Sequence, residues 1–137
     1  MNYRHHFHAG NFADVMKHAL LVQLVRALQK KDKGFLYLDT HAGRGGYDLL
    51  AEERGDTLVR QPEWPLGIGR VAAAAEPATL AEYVGLVREF DRRCGNLPPA
   101  LRFYPGSPWL VRLLLRPQDR MALPFAGRHS AQARLLR

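Results

Sequence analysis

Four groups of residues have side chains and spacings suited to chemistry. The first is Asp39-Thr40-His41-Ala42-Gly43-Arg44-Gly45-Gly46, which follows the short apolar run Phe35-Leu36-Tyr37-Leu38. A short buried strand running into a glycine-rich turn is how a parallel α/β sheet presents a loop to a ligand. Asp39 and His41 would then stand at the carboxyl end of the strand, and the glycines would let a ligand approach the backbone closely. A turn with no ligand is the alternative. The second group is Asp14, Lys17 and His18, a polar trio on an otherwise apolar helix. His18 lies one turn after Asp14 on the same face, which suggests a site facing a cleft; a solvent-facing stripe is the alternative.

The third group is His5, His6 and His8. Histidines this dense can bind a metal, but no Cys or carboxylate stands at matching ligand spacing, so no metal is expected. The segment better suits RNA contact, with Tyr3 and Phe7 to stack on bases and Arg4 to meet phosphate. A frayed terminus is the alternative. The fourth is Tyr104-Pro105-Gly106-Ser107-Pro108, a stiff helix entry in which Ser107 and Pro108 read as an N-cap and N1 pair. The hydroxyl and first amides of such a helix can also hold a polar ligand group.

The elements that must position these groups follow from periodicity. Asn11 reads as the cap of a helix, with Asp14 placed to answer it three residues on. Met16, Leu20, Leu24, Ala27 and Leu28 recur at helical spacing, and Val15, Ala19 and Val22 widen the stripe, so a well-buried helix is expected. Lys30, Lys31 and Lys33 suit its C-terminal end, and Gly34 stops it. From about 47 to 100 the sequence changes character and reads as a helical insertion outside the sheet. Arg54-Gly55-Asp56 and Gln61-Pro62-Glu63-Trp64-Pro65 are turn signals, and Val71 to Ala75 is a small helical piece. Thr79 and Glu82 form a capping box for a helix with Leu80, Tyr83, Val84, Val87 and Phe90 on its apolar face and Gly95 at its end. A helix from Trp109 to Arg116 closes at Pro117, and Arg120 to Leu123 can begin a second strand.

The 137 residues suffice for one domain with a modest core. Twenty Lys and Arg face thirteen Asp and Glu, a formal net charge of +7 that favours polyanions such as RNA. The single cysteine, Cys94, permits no disulfide within the chain and reads as a half-buried helix-end residue rather than a nucleophile. No apolar run is long enough to span a membrane and Met1 to His8 lacks a signal-peptide core, so a cytoplasmic location is expected.

Together these pieces resemble one family. Tyr3-Arg4-His5, Phe7-His8-Ala9-Gly10-Asn11, Ala13-Asp14-Val15 and Lys17-His18 are similar to the N-terminal signature of the bacterial 23S rRNA adenine-N6 methyltransferases. Phe35 to Gly43 resembles their first strand and loop; Phe103 to Pro108, Arg112 to Arg116 and Gln118-Asp119 resemble the next helix. The resemblance covers residues 3 to about 123.

It implies an α/β chain with a partial Rossmann-like methyltransferase fold. Residues 1–46 would supply the N-terminal segment, helix, first strand and loop, 47–100 the helical insertion, and 101–123 the return to the methyltransferase domain. It further implies S-adenosylmethionine as cofactor and 23S rRNA as partner. By position, His18, His41 and Ser107 would contact the cofactor, with Lys17, Asp39 and Gly43 nearby, and Tyr3 would lie in the segment that meets RNA. The Asp-Pro-Pro-Tyr motif that grips the target amine in such enzymes does not occur, so no catalytic residue is assigned. Residues 124–137 depart from the family pattern: no carboxylate follows Leu123 where the family has a ribose-binding acid. The expectation is a chain that stops before the catalytic motif, with a non-catalytic basic RNA-binding fragment as the alternative. A sheet of so few strands would leave apolar edges exposed and favour poor solubility or self-association.

Overall fold

A computed structural model describes residues 7–43, 45–51, 61–74 and 78–123. The sequence expectations for Tyr3, Arg4, His5, His6, Arg44, the 54–56 turn and the 124–137 tail fall outside these residues.

The chain is a mixed helix and strand structure with a small parallel sheet. Its elements in order are α1 (Phe12–Leu28), β1 (Leu36–Leu38), β2 (Gly46–Asp48), a kinked helical turn over Pro65–Gly69, α2 (Arg70–Ala73), α3 (Ala78–Arg93), β3 (Phe103–Pro105), α4 (Ser107–Leu114) and β4 (Arg120–Ala122). Strands β1 and β4 pair in parallel, with Tyr37 opposite Met121. Strands β2 and β3 form a separate antiparallel pair, with Tyr47 opposite Tyr104.

Helix α1 begins as expected, with Asn11 Oδ1 accepting from Asp14 N at 2.9 Å. The Asp14 carboxylate reaches one residue further back than a capping box requires and accepts from Gly10 N at 3.1 Å. The helix stops at Leu28, before the lysines and well before Gly34. Arg116 meets the carbonyls that follow, donating to Gln29 O at 2.9 Å and Lys31 O at 3.0 Å. Gly34 serves close packing instead: a Cβ there would lie 2.1 Å from Gln118 O.

The burial of α1 differs from expectation. Val15, His18, Val22 and Val25 face inward, against α3, α4 and the 65–69 turn. Met16, Leu20, Leu24 and Leu28 form an exposed stripe, Leu20 at 64%. The helix is apolar on most sides, but the described residues supply partners for one side only. Strand β1 is likewise open: Leu36 and Leu38 are 63% and 61% exposed, and only Tyr37 turns inward.

The core joins Val22 and Val25 of α1, Tyr83, Val84 and Val87 of α3, Tyr104 of β3, and Leu110, Val111 and Leu114 of α4. The apolar face read for α3 is thus the one that packs. Its capping box does not form, because Ala78 and Thr79 are already helical and Glu82 accepts from Arg26 Nε at 2.7 Å. Asp91 at the other end of α3 ties the helix to β3, accepting from Phe103 N at 2.8 Å. Gly95 follows the helix with φ +89°, a conformation that favours glycine. Cys94 is half-buried at this helix end, and burial, then the charge of Asp91, raises its thiol pKa.

Tyr47 and Asp48, where the sequence reading begins a helical insertion outside the sheet, belong to strand β2 of the antiparallel pair. At α4 the cap is Gly106, and Ser107 is already the first helical residue, so its hydroxyl is directed elsewhere. The helix ends at Leu114, two residues earlier than read.

Candidate functional site

Asp39 leaves β1 at its carboxyl end with its N–H still bonded to Ala122 O at 3.3 Å. Its carboxylate gathers donors from three directions. Oδ2 accepts from Tyr37 Oη at 2.8 Å and from Ser107 Oγ at 2.9 Å, and Oδ1 accepts from His41 N at 2.9 Å. Burial alone would raise the pKa of Asp39, but hydrogen bonds from His41 N, Tyr37 and Ser107 outweigh it and hold the carboxyl below its ordinary range. The same environment pushes Tyr37 up to about 12, through burial first and its bond to Asp39 second.

The loop beyond is exposed. His41 stands at the surface with Nδ1 2.8 Å from Thr40 Oγ1. Gly43 has φ +54° and Gly45 φ +78°, so both take a left-handed conformation that side chains resist. Gly106 N donates to Gly45 O at 2.7 Å, which stitches the glycine loop to the turn between β3 and α4. Asp39, His41 and Ser107 are therefore held around one carboxylate.

A second network surrounds Tyr104. His18 is buried on α1 with Nδ1 2.8 Å from Tyr104 Oη, and the rings stack with centroids 5.7 Å apart. Tyr83 Oη of α3 lies 2.9 Å from the same hydroxyl. Burial raises the pKa of both tyrosines, so both remain phenols. Lys17 does not join His18: its Nζ donates to Asp14 Oδ1 at 2.7 Å, and its side chain is exposed. The segment Tyr104 to Ser107 links the networks, since it supplies Tyr104 to one and Ser107 to the other.

The sequence reading named His18, Lys17, Asp39, His41, Gly43 and Ser107 but gave Tyr37, Tyr83 and Tyr104 no hydrogen-bonding role. A tyrosine in an apolar stripe was the available signal, because a buried phenol needs a partner. No group of three or more His, Cys, Asp or Glu placed to hold a metal occurs among the described residues. His8 Nδ1 instead lies 3.0 Å from Glu63 Oε2. A cavity of about 740 Å³ opens beside α2 and α3, lined by Trp64, Arg88, Arg92 and Leu101 among others, and includes none of the six residues named above. Its size does not make it the site, because the convergent polar groups lie around Asp39 and Tyr104. Among the described residues, no helix is long and apolar enough to cross a membrane.

The chain has relatives. Residues 32–137 match the family model described as Ribosomal RNA large subunit methyltransferase D, RlmJ, a span that includes 124–137, read above as departing from the family. The chain is 46% identical over 124 residues to the ribosomal RNA large subunit methyltransferase J of Escherichia coli (strain K12) and 41% identical to that of Haemophilus influenzae. Each match covers 90% of this chain and 41% of the relative, so the chain spans about two fifths of their length. A crystal structure of a Legionella pneumophila protein superposes with a TM-score of 0.74 at 37% identity, covering 89% of this chain and 42% of that one.

Proposed function

Since this chain belongs to the ribosomal RNA large subunit methyltransferase D (RlmJ) family, we propose that it is the cofactor-binding part of a Rossmann-like enzyme that methylates N6 of an adenine in 23S rRNA from S-adenosylmethionine. The observation that carries the reading is the Asp39 carboxylate at the end of a parallel strand, bonded to the first residue of α4. Open α/β sheets bind ligands at this place, and a helix N-terminus there favours an anionic group.

The donor set fits the cofactor. Its methionine end carries an ammonium and a carboxylate. Asp39, held ionised, suits the first; the Ser107 backbone N–H at the start of α4, with His41, His18 and Lys17, suits the second. Gly43 leaves room for close approach. When bound, the cofactor supplies an electrophilic methyl on a sulfonium. The chain's own residues bind and orient it, because methyl transfer to an amine depends more on in-line placement than on acid–base help. The target adenine has to leave its stack, and the basic surface, together with Tyr3 and Arg4, is proposed to hold the surrounding RNA. We read residues 47–100 as the family's insertion in this fold and propose a cytoplasmic location.

Titration calorimetry with S-adenosylhomocysteine tests this. Saturable binding that His41→Ala abolishes is expected; a folded sample that takes up no cofactor overturns the reading. A non-catalytic RNA-binding role is the second reading, favoured by the +7 charge. Salt-sensitive RNA binding without cofactor binding would select it.

A further inference from the structure

The cavity beside α2 and α3 takes no part in the cofactor reading, and its lining has a chemistry of its own. Small residues keep it open: Gly69, Ala72 and Gly85 line it, and a Cβ on Gly85 would meet nothing within 4 Å. Trp64 lines it as well, with its ring on Gly69, where an added Cβ would lie 3.0 Å from Cζ3. Trp64 Nε1 is buried with no hydrogen-bond partner among the described residues, so the side-chain surface that Trp64 exposes is hydrocarbon. An aromatic ring in such a place is a platform on which any base can stack.

Two polar groups of the lining are unspent. Asn96 Nδ2 donates to Asp91 Oδ2 at 2.7 Å and to Ala100 O at 2.6 Å, so both its hydrogens are used and the amide is fixed. Asn96 Oδ1 remains as an acceptor with no donor among the described residues. Arg88 donates from Nη2 to Ala72 O at 2.7 Å and pairs with no carboxylate among the described residues. Arg92, also in the lining, shares Glu89 with Arg93, two guanidiniums on one carboxylate. Asp91 is committed to Arg102 N and Phe103 N as well as to Asn96. The cavity therefore joins apolar walls, a fixed acceptor and a cationic edge. A hydrocarbon occupant answers neither polar group. A nucleotide answers both, with a base N–H for Asn96 Oδ1 and a phosphate for Arg88.

We propose that this cavity receives one unstacked nucleotide of single-stranded RNA, its base against Trp64 and its phosphate toward Arg88 and Arg92. The proposal rests on the RNA partner of the reading above and gives that partner a second foothold, on α2 and α3, apart from the carboxylate of Asp39. The adenosine end of the cofactor offers similar chemistry, and the experiment separates the two sources.

Fluorescence anisotropy of the 137-residue chain with labelled single-stranded oligoadenylate, beside calorimetry with S-adenosylhomocysteine, tests this. RNA binding is expected to quench tryptophan emission; Trp109 is buried, so the change reports Trp64. Binding with unchanged emission overturns the stack. Gly85→Leu puts a side chain into the open lining and favours the helix over glycine. It is expected to weaken RNA binding by about 5-fold or more, while the thermal midpoint and S-adenosylhomocysteine affinity hold. Arg88→Gln is expected to reduce the slope of log K against log salt by about 0.7, and an unchanged slope overturns the phosphate contact. Equal RNA affinity of the parent and Gly85→Leu overturns the cavity site and leaves the RNA reading standing. Loss of S-adenosylhomocysteine binding in Gly85→Leu assigns the cavity to the cofactor and overturns the proposal. A folded parent that binds no RNA overturns both the proposal and the RNA reading on which it rests.

Discussion

Ser107 Oγ donates to Asp39 Oδ2 across 2.9 Å, joining residues 68 apart in sequence and fixing the first turn of α4 against the end of β1. The bond explains why Ser107, placed like a cap, does not cap: its hydroxyl is committed to the strand, and Gly106 occupies the cap position. Ser107→Ala is expected to weaken S-adenosylhomocysteine binding by about 3- to 10-fold. Ser107→Ala in an Asp39→Asn background is expected to cost much less, because the shared bond is already weakened. Calorimetry on the four proteins of this cycle checks the coupling, and strictly additive losses would mean that the two residues act independently.

A second carboxylate holds the other end of the parallel pair. Asp119 accepts from Arg116 Nε at 3.1 Å, Gln29 Nε2 at 3.2 Å and Phe35 N at 3.3 Å, joining β4, α1 and the entry to β1. The Arg116 guanidinium, first among the causes, holds its pKa well below the ordinary 3.8. A carboxyl depressed in the fold contributes stability that is full above its unfolded pKa and is lost as pH falls through 3.8 toward the folded value. Asp39, also depressed, adds in the same direction. Asp119→Asn is expected to lower the thermal midpoint at pH 7 and to flatten its fall below about pH 5. A variant that loses midpoint on acidification as steeply as the parent would show that Asp119 is not the group responsible.

Close backbone contact makes a third prediction. A Cβ on Gly67 would lie 2.1 Å from Gly10 O, where Ile68 N donates to the same oxygen at 2.8 Å. This contact docks the 65–69 turn on the start of α1, beneath Asp14. Gly67→Ala is expected to destabilise the chain by about 1–3 kcal/mol, the usual cost of overpacking. Gly85→Ala is the control: a Cβ there meets nothing within 4 Å, and alanine raises helix propensity. Urea denaturation of the pair checks the contrast, and equal midpoints would refute the close approach.

Sequence carried the site further than it carried the packing. Asp39, His41 and Ser107 were readable because a strand, a glycine turn and a helix start each leave a local mark, and the structure brings them to one carboxylate. The antiparallel pair of β2 and β3 was not readable, because three-residue strands leave no alternation and Gly46 looked like the end of a turn. The tyrosine row was hidden for another reason. Tyr83 fits an apolar face by its ring, while its hydroxyl finds Tyr104 only in three dimensions. The direction of α1 was misread because its apolar residues encircle it, and composition cannot say which side has partners.

That exposed side supplies the last prediction. Met16, Leu20 and Leu24 follow one another at successive turns of α1 with more than half of each side chain's residue surface open, and Leu36 and Leu38 are equally open on β1. Exposed apolar side chains of this kind seek cover in water. The isolated 137-residue chain is expected to self-associate, with a sedimentation profile that shifts with concentration. Leu20→Glu with Leu24→Glu is expected to suppress that association, and because neither side chain is buried, the thermal midpoint of the monomer should change little. A double variant that associates as strongly as the parent would place the adhesive surface elsewhere. One that unfolds would show that this side of α1 is packed in solution. Suppression with an unchanged midpoint would establish the stripe as a surface that the described residues leave uncovered.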